Sequence, residues 1–177
     1  MEIFAQNSFI NDSYIISLVL FNNVSNSSEI RNMAIKREIN ATLLKPQAIV
    51  DSFQVLLAAN KALSNYLGKT MYTKSLHSEI IFSLSASRSI TESFKNFGVE
   101  NDANSILIVE ISEKDKSSID EICSRVRGDP VKVDSIGTFT NIPVIKQLYK
   151  IDESELAHSN LNDVVYSRMA AKEFVNY

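Results

Sequence analysis

One cysteine, two histidines and four glycines are spread over 177 residues, and each scarcity closes off a class of function. A single cysteine excludes an internal disulfide. Cys123 shares helical spacing with Ile119, Ile122 and Val126, so it reads as a small apolar core residue and not as a reactive thiol. His77 and His158 lie far apart, with no metal-ligand spacing. So few glycines leave no GxGxxG and no GxxxxGK[ST] phosphate loop. Long apolar runs are missing too: the longest, near Ile15–Phe21, falls short of the about 20 residues that span a bilayer. Neither sign of charge dominates. The net charge of −3 and pI of about 5.4 argue against a surface that binds nucleic acid everywhere, though not against a local basic patch. Sequons occur at Asn11, Asn23, Asn26 and Asn40, but the opening MEIFAQNSF has no basic n-region. They read as chance in an Asn/Ser-rich chain, and the protein is expected to be soluble and intracellular.

What is present points to one domain with a real core. Hydrophobic residues make up 45% and charged residues 22%, ordinary for a globular chain of this length. The segment Ile49–Lys69 (IVDSFQVLLAANKALSNYLGK) carries the most information. Ile49, Phe53, Leu56, Asn60, Leu63 and Leu67 follow helical spacing, and Val50, Leu57, Ala58 and Ala59 widen the apolar surface beyond one stripe. Such a helix is covered on more than one side. Asp51, Gln54, Lys61 and Asn65 are assigned to its polar edge. Asn60, an amide within the apolar stripe, must find partners or cost about 1–3 kcal/mol.

Around that helix the chain alternates short apolar runs with helical patterns. Tyr14–Phe21 (YIISLVLF) predicts a strand buried on both faces. Ser27–Glu38 predicts a short amphipathic helix. Pro46 stands near the start of the long helix and Gly68 at its C-cap. Glu79–Leu84 (EIIFSL) is read as a second strand and Ser105–Ile111 as a third. Ser89-x-x-Glu92 is a capping-box pattern opening a helix through Phe97, which Gly98 closes. Ser117–Val126 reads as a helix ending before the turn cluster Gly128-Asp129-Pro130, with a short edge strand at Val131–Val133. Asn141-Ile142-Pro143 opens a helix through Tyr149. From Asp152 on, the chain is helical with a break near His158–Asn160, and Asp152 with Glu155 gives another start signal. The pattern predicts one α+β domain over residues 1–177, a small mixed or antiparallel sheet of about three to four strands covered by helices.

No constellation for catalysis stands out. Glu100, Asp102, Glu113, Asp115, Asp120 and Glu121 read as solvated positions. No G-x-S-x-G elbow and no acid/base pair are visible. The chain is therefore expected not to be an enzyme and to need no metal, nucleotide or other cofactor. Two surfaces are candidates for binding, each against a plainer reading: Arg88 as an exposed loop residue, and the last helix as one packed on the chain's own core. Arg88 directly precedes Ser89, the predicted N-cap, where free backbone N–H groups and a partial positive charge suit an anion. Lys61 is expected to approach the same region. In the last helix Leu161, Val164, Val165, Arg168, Met169 and Lys172 recur at helical spacing, and their mixture of Met, Arg and aliphatics suits a partner surface.

The blocks IVDSFQVLLAANKA (49–62), SLHSEIIFSLS (75–85), SITESFKNFGVENDANSILIV (89–109) and VIKQLYKI (144–151) resemble, in order, those of the kinase-binding subunit of the KEOPS, or EKC, complex. They cover most of the chain. Ser52 departs from the proline of many members. The resemblance implies a non-catalytic regulatory subunit that binds the complex's small atypical kinase/ATPase. Through that kinase it would support the threonylcarbamoyl transferase subunit, which modifies tRNA next to the anticodon. It also implies capture of the single-stranded tRNA 3′ end, with Lys61, Arg88 and Ile90 as the residues concerned. Ile90 would offer an apolar surface to a base. Docking on the kinase N-terminal lobe would fall to Leu161, Val164, Val165, Arg168, Met169 and Lys172. A cytoplasmic and nuclear location is expected, with no membrane partner. The competing readings are a stand-alone small enzyme with an unrecognised site and a protein-only adaptor that does not bind tRNA.

Overall fold

A computed structural model describes residues 1–175. Its centre is β2 (Tyr14–Asn22), which pairs along one whole edge with β4 (Ile106–Glu113). The other edge of β2 is shared by β1 (Phe4–Asn7), opposite residues 15–18, and β5 (Asp129–Val131), opposite residues 20–22. β3 (Thr42–Leu44) lies on the outer side of β4. Every pairing is antiparallel. The sheet therefore has five strands, against the about three to four expected from pattern. β1 and β3 escaped notice because runs of four and three residues leave almost no periodicity.

Both faces of this sheet are covered, which is why YIISLVLF lacks a polar phase. Ile16, Leu18 and Leu20 join Leu107, Val109 and Leu44 on one face. Val19 and Phe21 join Ile106, Ile108 and Leu43 on the other. Period-2 alternation sends neighbours to opposite cores, so nearly every position carries an apolar side chain, the buried Ser17 excepted. α1 (Ser27–Ile35) and α5 (Ile119–Ser124) contribute Ile30, Ile122 and Cys123 to the second core. Among the buried positions of β4, Glu110 stands out, only 2% exposed. Its carboxylate accepts from Ser117 Oγ at 2.6 Å, Ser118 N–H at 2.8 Å and Ser118 Oγ at 2.6 Å, which anchors the start of α5.

The larger core is built on α2 (Ser52–Leu67). Asp51 caps it, accepting from Gln54 N–H at 2.9 Å. Pro46 opens a separate 3₁₀ turn over Pro46–Ala48, and three residues separate that turn from the helix proper, so it does not sit in the first turn of α2. Gly68 is the C-cap as expected, and the left-handed residue that ends the helix is Lys69, with φ of 57°. Asn60 has its partners: it accepts from Ser8 Oγ at 2.7 Å and Phe9 N–H at 2.8 Å and donates to the Leu56 carbonyl at 2.9 Å. Two residues assigned to the polar edge are buried instead. Gln54 donates to Tyr149 Oη at 2.7 Å, which in turn donates to the Leu84 carbonyl at 2.6 Å. Asn65 donates to Glu79 Oε1 at 2.9 Å. Helical spacing cannot distinguish a polar edge facing water from one facing a polar network.

EIIFSL is not a strand. It forms most of α3 (Leu76–Leu84), whose N-cap Ser75 accepts from Ser78 N–H at 3.2 Å. Ile80, Ile81, Phe82 and Leu84 are all buried, because α3 packs against α2 and is covered nearly all round. A short apolar run without a polar phase has no period to read, and the β-branched pair Ile80-Ile81 tips propensity toward the wrong element. α4 (Ile90–Phe97) follows with Ser89 as its cap. The predicted turn Gly128-Asp129-Pro130 is partly β5, and the edge strand lies two residues earlier than Val131–Val133. α6 (Ile142–Tyr149), α7 (Glu153–Leu156) and α8 (Leu161–Ala171) complete the chain.

Candidate nucleic-acid interface and partner-binding helix

The N-terminus of α4 is built as its capping pattern predicts, with one difference. Ser89 Oγ accepts from Glu92 N–H at 3.2 Å, but the Glu92 carboxylate accepts from Ser87 Oγ at 2.5 Å and not from the Ser89 backbone. Arg88 turns away from this helix. Its Nε donates to the Lys172 carbonyl at 3.0 Å and its Nη2 to the Glu173 carbonyl at 2.7 Å. The guanidinium thus caps the C-terminal end of α8, where unpaired carbonyls and the negative end of the helix dipole favour a cation. Lys61, projecting from α2, reaches the same residues through Glu173 Oε1 at 2.9 Å. Lys61 and Arg88 therefore converge, as expected, and they do so on the chain's own C-terminal segment. Ile90 is 41% exposed in the first turn of α4.

Beside this convergence lies a cavity of about 300 Å³, lined by Tyr72, Phe82, Met169 and Lys172 among others. Lys172 is 5% exposed. Its ammonium donates to the Phe82 carbonyl and sits 3.1 Å over the Phe82 ring centroid. Burial pushes its pKa down to about 7, with the nearby Glu79 and Glu173 charges opposing that shift.

The six positions of the last helix divide by depth. Val165 is fully buried and Val164 is 7% exposed, so both hold α8 to the core. Leu161 and Met169 are half-buried against the same core. Arg168 donates through Nη2 to both Glu155 oxygens at 2.8 Å and through Nε to the Tyr149 carbonyl at 3.3 Å. Lys172 is committed to Phe82. α8 is pinned at its start as well, where Asn162 and Tyr166 donate to the Asp51 carboxylate at 2.7 and 2.5 Å. Its outward stripe is Asp163, Ser167 and Ala170, followed by Phe174, which is 85% exposed. Helical spacing marked the inward stripe, because the apolar residues that define a periodicity are those a helix buries.

The other chemistry is quiet. Burial pushes the Cys123 thiol up to about 12, with the Asp120 and Glu110 charges adding to it, so it is no ready nucleophile. Among the described residues no group of three His, Cys, Asp or Glu side chains could hold a metal ion. No helix of the described residues is long and apolar enough to cross a membrane. Glu100, Asp102, Glu113, Asp115, Asp120 and Glu121 are all exposed, as read from the sequence.

Comparison with known proteins connects this geometry to a family. The family described as "Kinase binding protein CGI-121" matches residues 21–173. The EKC/KEOPS complex subunit TPRKB of Danio rerio is 40% identical over 161 residues, spanning 90% of this chain and 92% of that protein. The EKC/KEOPS complex subunit CGI121 of Yarrowia lipolytica is 26% identical over 138 residues, covering 77% of this chain and 79% of its own. The corresponding subunit of Schizosaccharomyces pombe is 27% identical over 147 residues, covering 80% and 84%.

Proposed function

Since the chain belongs to the CGI-121 family of kinase-binding proteins, we propose that it is a non-catalytic regulatory subunit of a KEOPS/EKC complex, in the cytoplasm and nucleus. In this reading it docks on the complex's small atypical kinase/ATPase and supports threonylcarbamoyladenosine formation on tRNA. The observation that carries the reading is the family match over residues 21–173, from the end of β2 through α8. α8 is the docking element. Val164, Val165 and Lys172 fix it from inside, Leu161, Arg168 and Met169 set its flanks, and the Asp163–Ser167–Ala170 stripe faces outward. Docking alters the kinase only through different affinities for its states.

The second part of the proposal is tRNA handling at Lys61, Arg88 and Ile90. Two cations beside an exposed aliphatic residue and a helix N-terminus suit the backbone and a base of a single-stranded end. Holding tRNA would raise its effective concentration at the distant transferase subunit. A protein-only adaptor is the second reading. It is favoured by the engagement of Lys61 and Arg88 with residues 172 and 173.

Two experiments test these parts. A pull-down with the tagged chain from its own cell extract should recover the kinase and the transferase by mass spectrometry; a clean bait that recovers neither sinks the subunit assignment. Arg88→Glu should then weaken tRNA binding about tenfold or more and affect kinase binding far less, by no more than the lost cap at the end of α8 allows. Unchanged tRNA affinity would leave the adaptor reading standing.

A further inference from the structure

A second groove, of about 830 Å³, runs between the end of α1, β3, the start of α3 and the end of α4. Four basic side chains line it, Arg31, Arg37, Lys74 and Lys95, against one acid, Glu100. That acid is already neutralised by an ion pair with Lys45. Arg37, Lys74 and Lys95 are exposed and have no ion-pair partner among the described residues. In a chain of net charge −3, this concentration of unneutralised cations is a local reversal of sign. Two aromatic rings share the same lining: Tyr66 is 45% exposed and Phe94 is 40% exposed. His77, which also lines the groove, keeps a buried Nδ1 with no hydrogen-bond partner among the described residues.

We infer that this groove binds a single-stranded RNA segment, with Arg37, Lys74 and Lys95 on its phosphates and the Tyr66 and Phe94 rings under its bases. Scattered cations beside exposed aromatic faces are what an unpaired strand requires, since every base has a face to stack and every linkage a charge to neutralise. A duplex hides its base faces and would leave the aromatic rings unused. An acidic polypeptide would satisfy the cations but has no comparable need for the exposed rings. Within the groove Arg31 is held by the Val99 carbonyl and Asn101, while Arg37, Lys74 and Lys95 have no ion-pair partner among the described residues. The site is separate from Lys61 and Arg88, whose charges are engaged by the C-terminal segment. It also continues from them. Ile90 and Phe94 stand one helical turn apart on α4 and are both exposed, so that helix carries an apolar step from the Arg88 end toward the groove. The choice of RNA as the natural ligand rests on the tRNA-handling proposal above.

The test is fluorescence anisotropy on the full chain, with a fluorescein-labelled single-stranded RNA of about 12 nucleotides that lacks the tRNA 3′ sequence. A double variant, Lys74→Glu with Lys95→Glu, should weaken binding about tenfold or more and flatten the log–log salt slope by about 1.4, the loss of two single-strand phosphate contacts. A second, Tyr66→Ala with Phe94→Ala, should weaken binding about tenfold while leaving the salt slope in place. All four side chains are exposed, so melting temperatures should hold and report folding independently. Wild-type affinity in both variants overturns the proposal. So does equal competition by a poly-glutamate peptide, which would make the occupant an acidic polypeptide. Intact tRNA is measured in parallel with Arg88→Glu. If that change abolishes tRNA binding while the groove variants bind the short RNA normally, the groove fails and the tRNA reading survives. If the wild-type chain binds neither RNA, both fail.

Discussion

Glu79 is the position where the fold can be tested most sharply. Its side chain is fully buried, and its carboxylate accepts from Asn65 Nδ2 at 2.9 Å, Tyr72 N–H at 3.2 Å, Thr73 N–H at 2.9 Å and Thr73 Oγ1 at 2.7 Å. Burial alone would raise its pKa, but these donors outweigh it and hold the carboxyl below its ordinary value. Glu79→Gln keeps the size and turns an N–H toward a donor, stranding part of a network that fixes the loop before α3. Losing charge-assisted bonds of this kind costs about 3 kcal/mol. For a chain of 177 residues, an unfolding entropy of about 2.1 cal/mol/K per residue makes that a drop of about 8 °C in Tm. The sign in pH follows from the depressed pKa. The unfolded chain binds the proton more readily, so the carboxylate's contribution is complete above the unfolded value near 4.5 and fades as pH falls through the folded value. Urea unfolding of both proteins at pH 7, 5 and about 3.5 should therefore show a gap that narrows with acid. A gap below about 1 kcal/mol at pH 7, or one independent of pH, refutes the argument.

Further changes probe other parts of the structure. Lys172→Met removes an ammonium whose pKa is lowered to about 7 from 10.5. Between those values the unfolded chain holds the extra proton, so wild type should gain on the variant as pH rises through the window, by up to about 1.4 kcal/mol per pH unit; urea midpoints at several pH values check it, and a flat difference counts against it. Asn60→Ala strands Ser8 Oγ and the Phe9 N–H and should cost about 2 kcal/mol, with faster hydrogen exchange at Phe9 than in wild type. Met169→Arg should weaken kinase binding in a titration and leave the circular dichroism spectrum intact. Loss of the folded spectrum would show that the half-buried Met169 serves the core more than docking.

Legibility from sequence followed how each element advertises itself. α4 and α6 were readable because their caps are written in side chains: Ser89 and Asn141 each accept the N–H three residues on, as their types predict. β2 and β4 were readable because double-sided burial leaves a nearly continuous apolar run rich in β-branched residues. α3 was misread for the same reason, since a helix covered all round also loses its polar phase. Gln54, Asn65 and Glu79 were beyond reach because their partners lie on other segments, and a buried amide has the same letter as an exposed one. Lys61 and Arg88 were correctly expected to meet. What no spacing could reveal is that they meet on the main chain and side chain of residues 172 and 173.

That meeting couples the two proposed surfaces. Arg88 caps the end of α8 and Lys61 holds Glu173, so the segment following the docking helix occupies the cations assigned to RNA. An RNA phosphate entering there must displace a carboxylate and two carbonyl contacts, and the exposed Lys61–Glu173 pair is the weaker of these holds. Kinase docking on the outward stripe of α8 would then change RNA affinity to the extent that it shifts the position of residues 172 and 173. By linkage, RNA would change kinase affinity by the same factor. Glu173→Gln isolates the carboxylate: it should strengthen tRNA binding a few-fold while leaving the Arg88 contacts to the two carbonyls in place. Unchanged or weaker tRNA binding in that variant would show that Glu173 does not compete with RNA for Lys61.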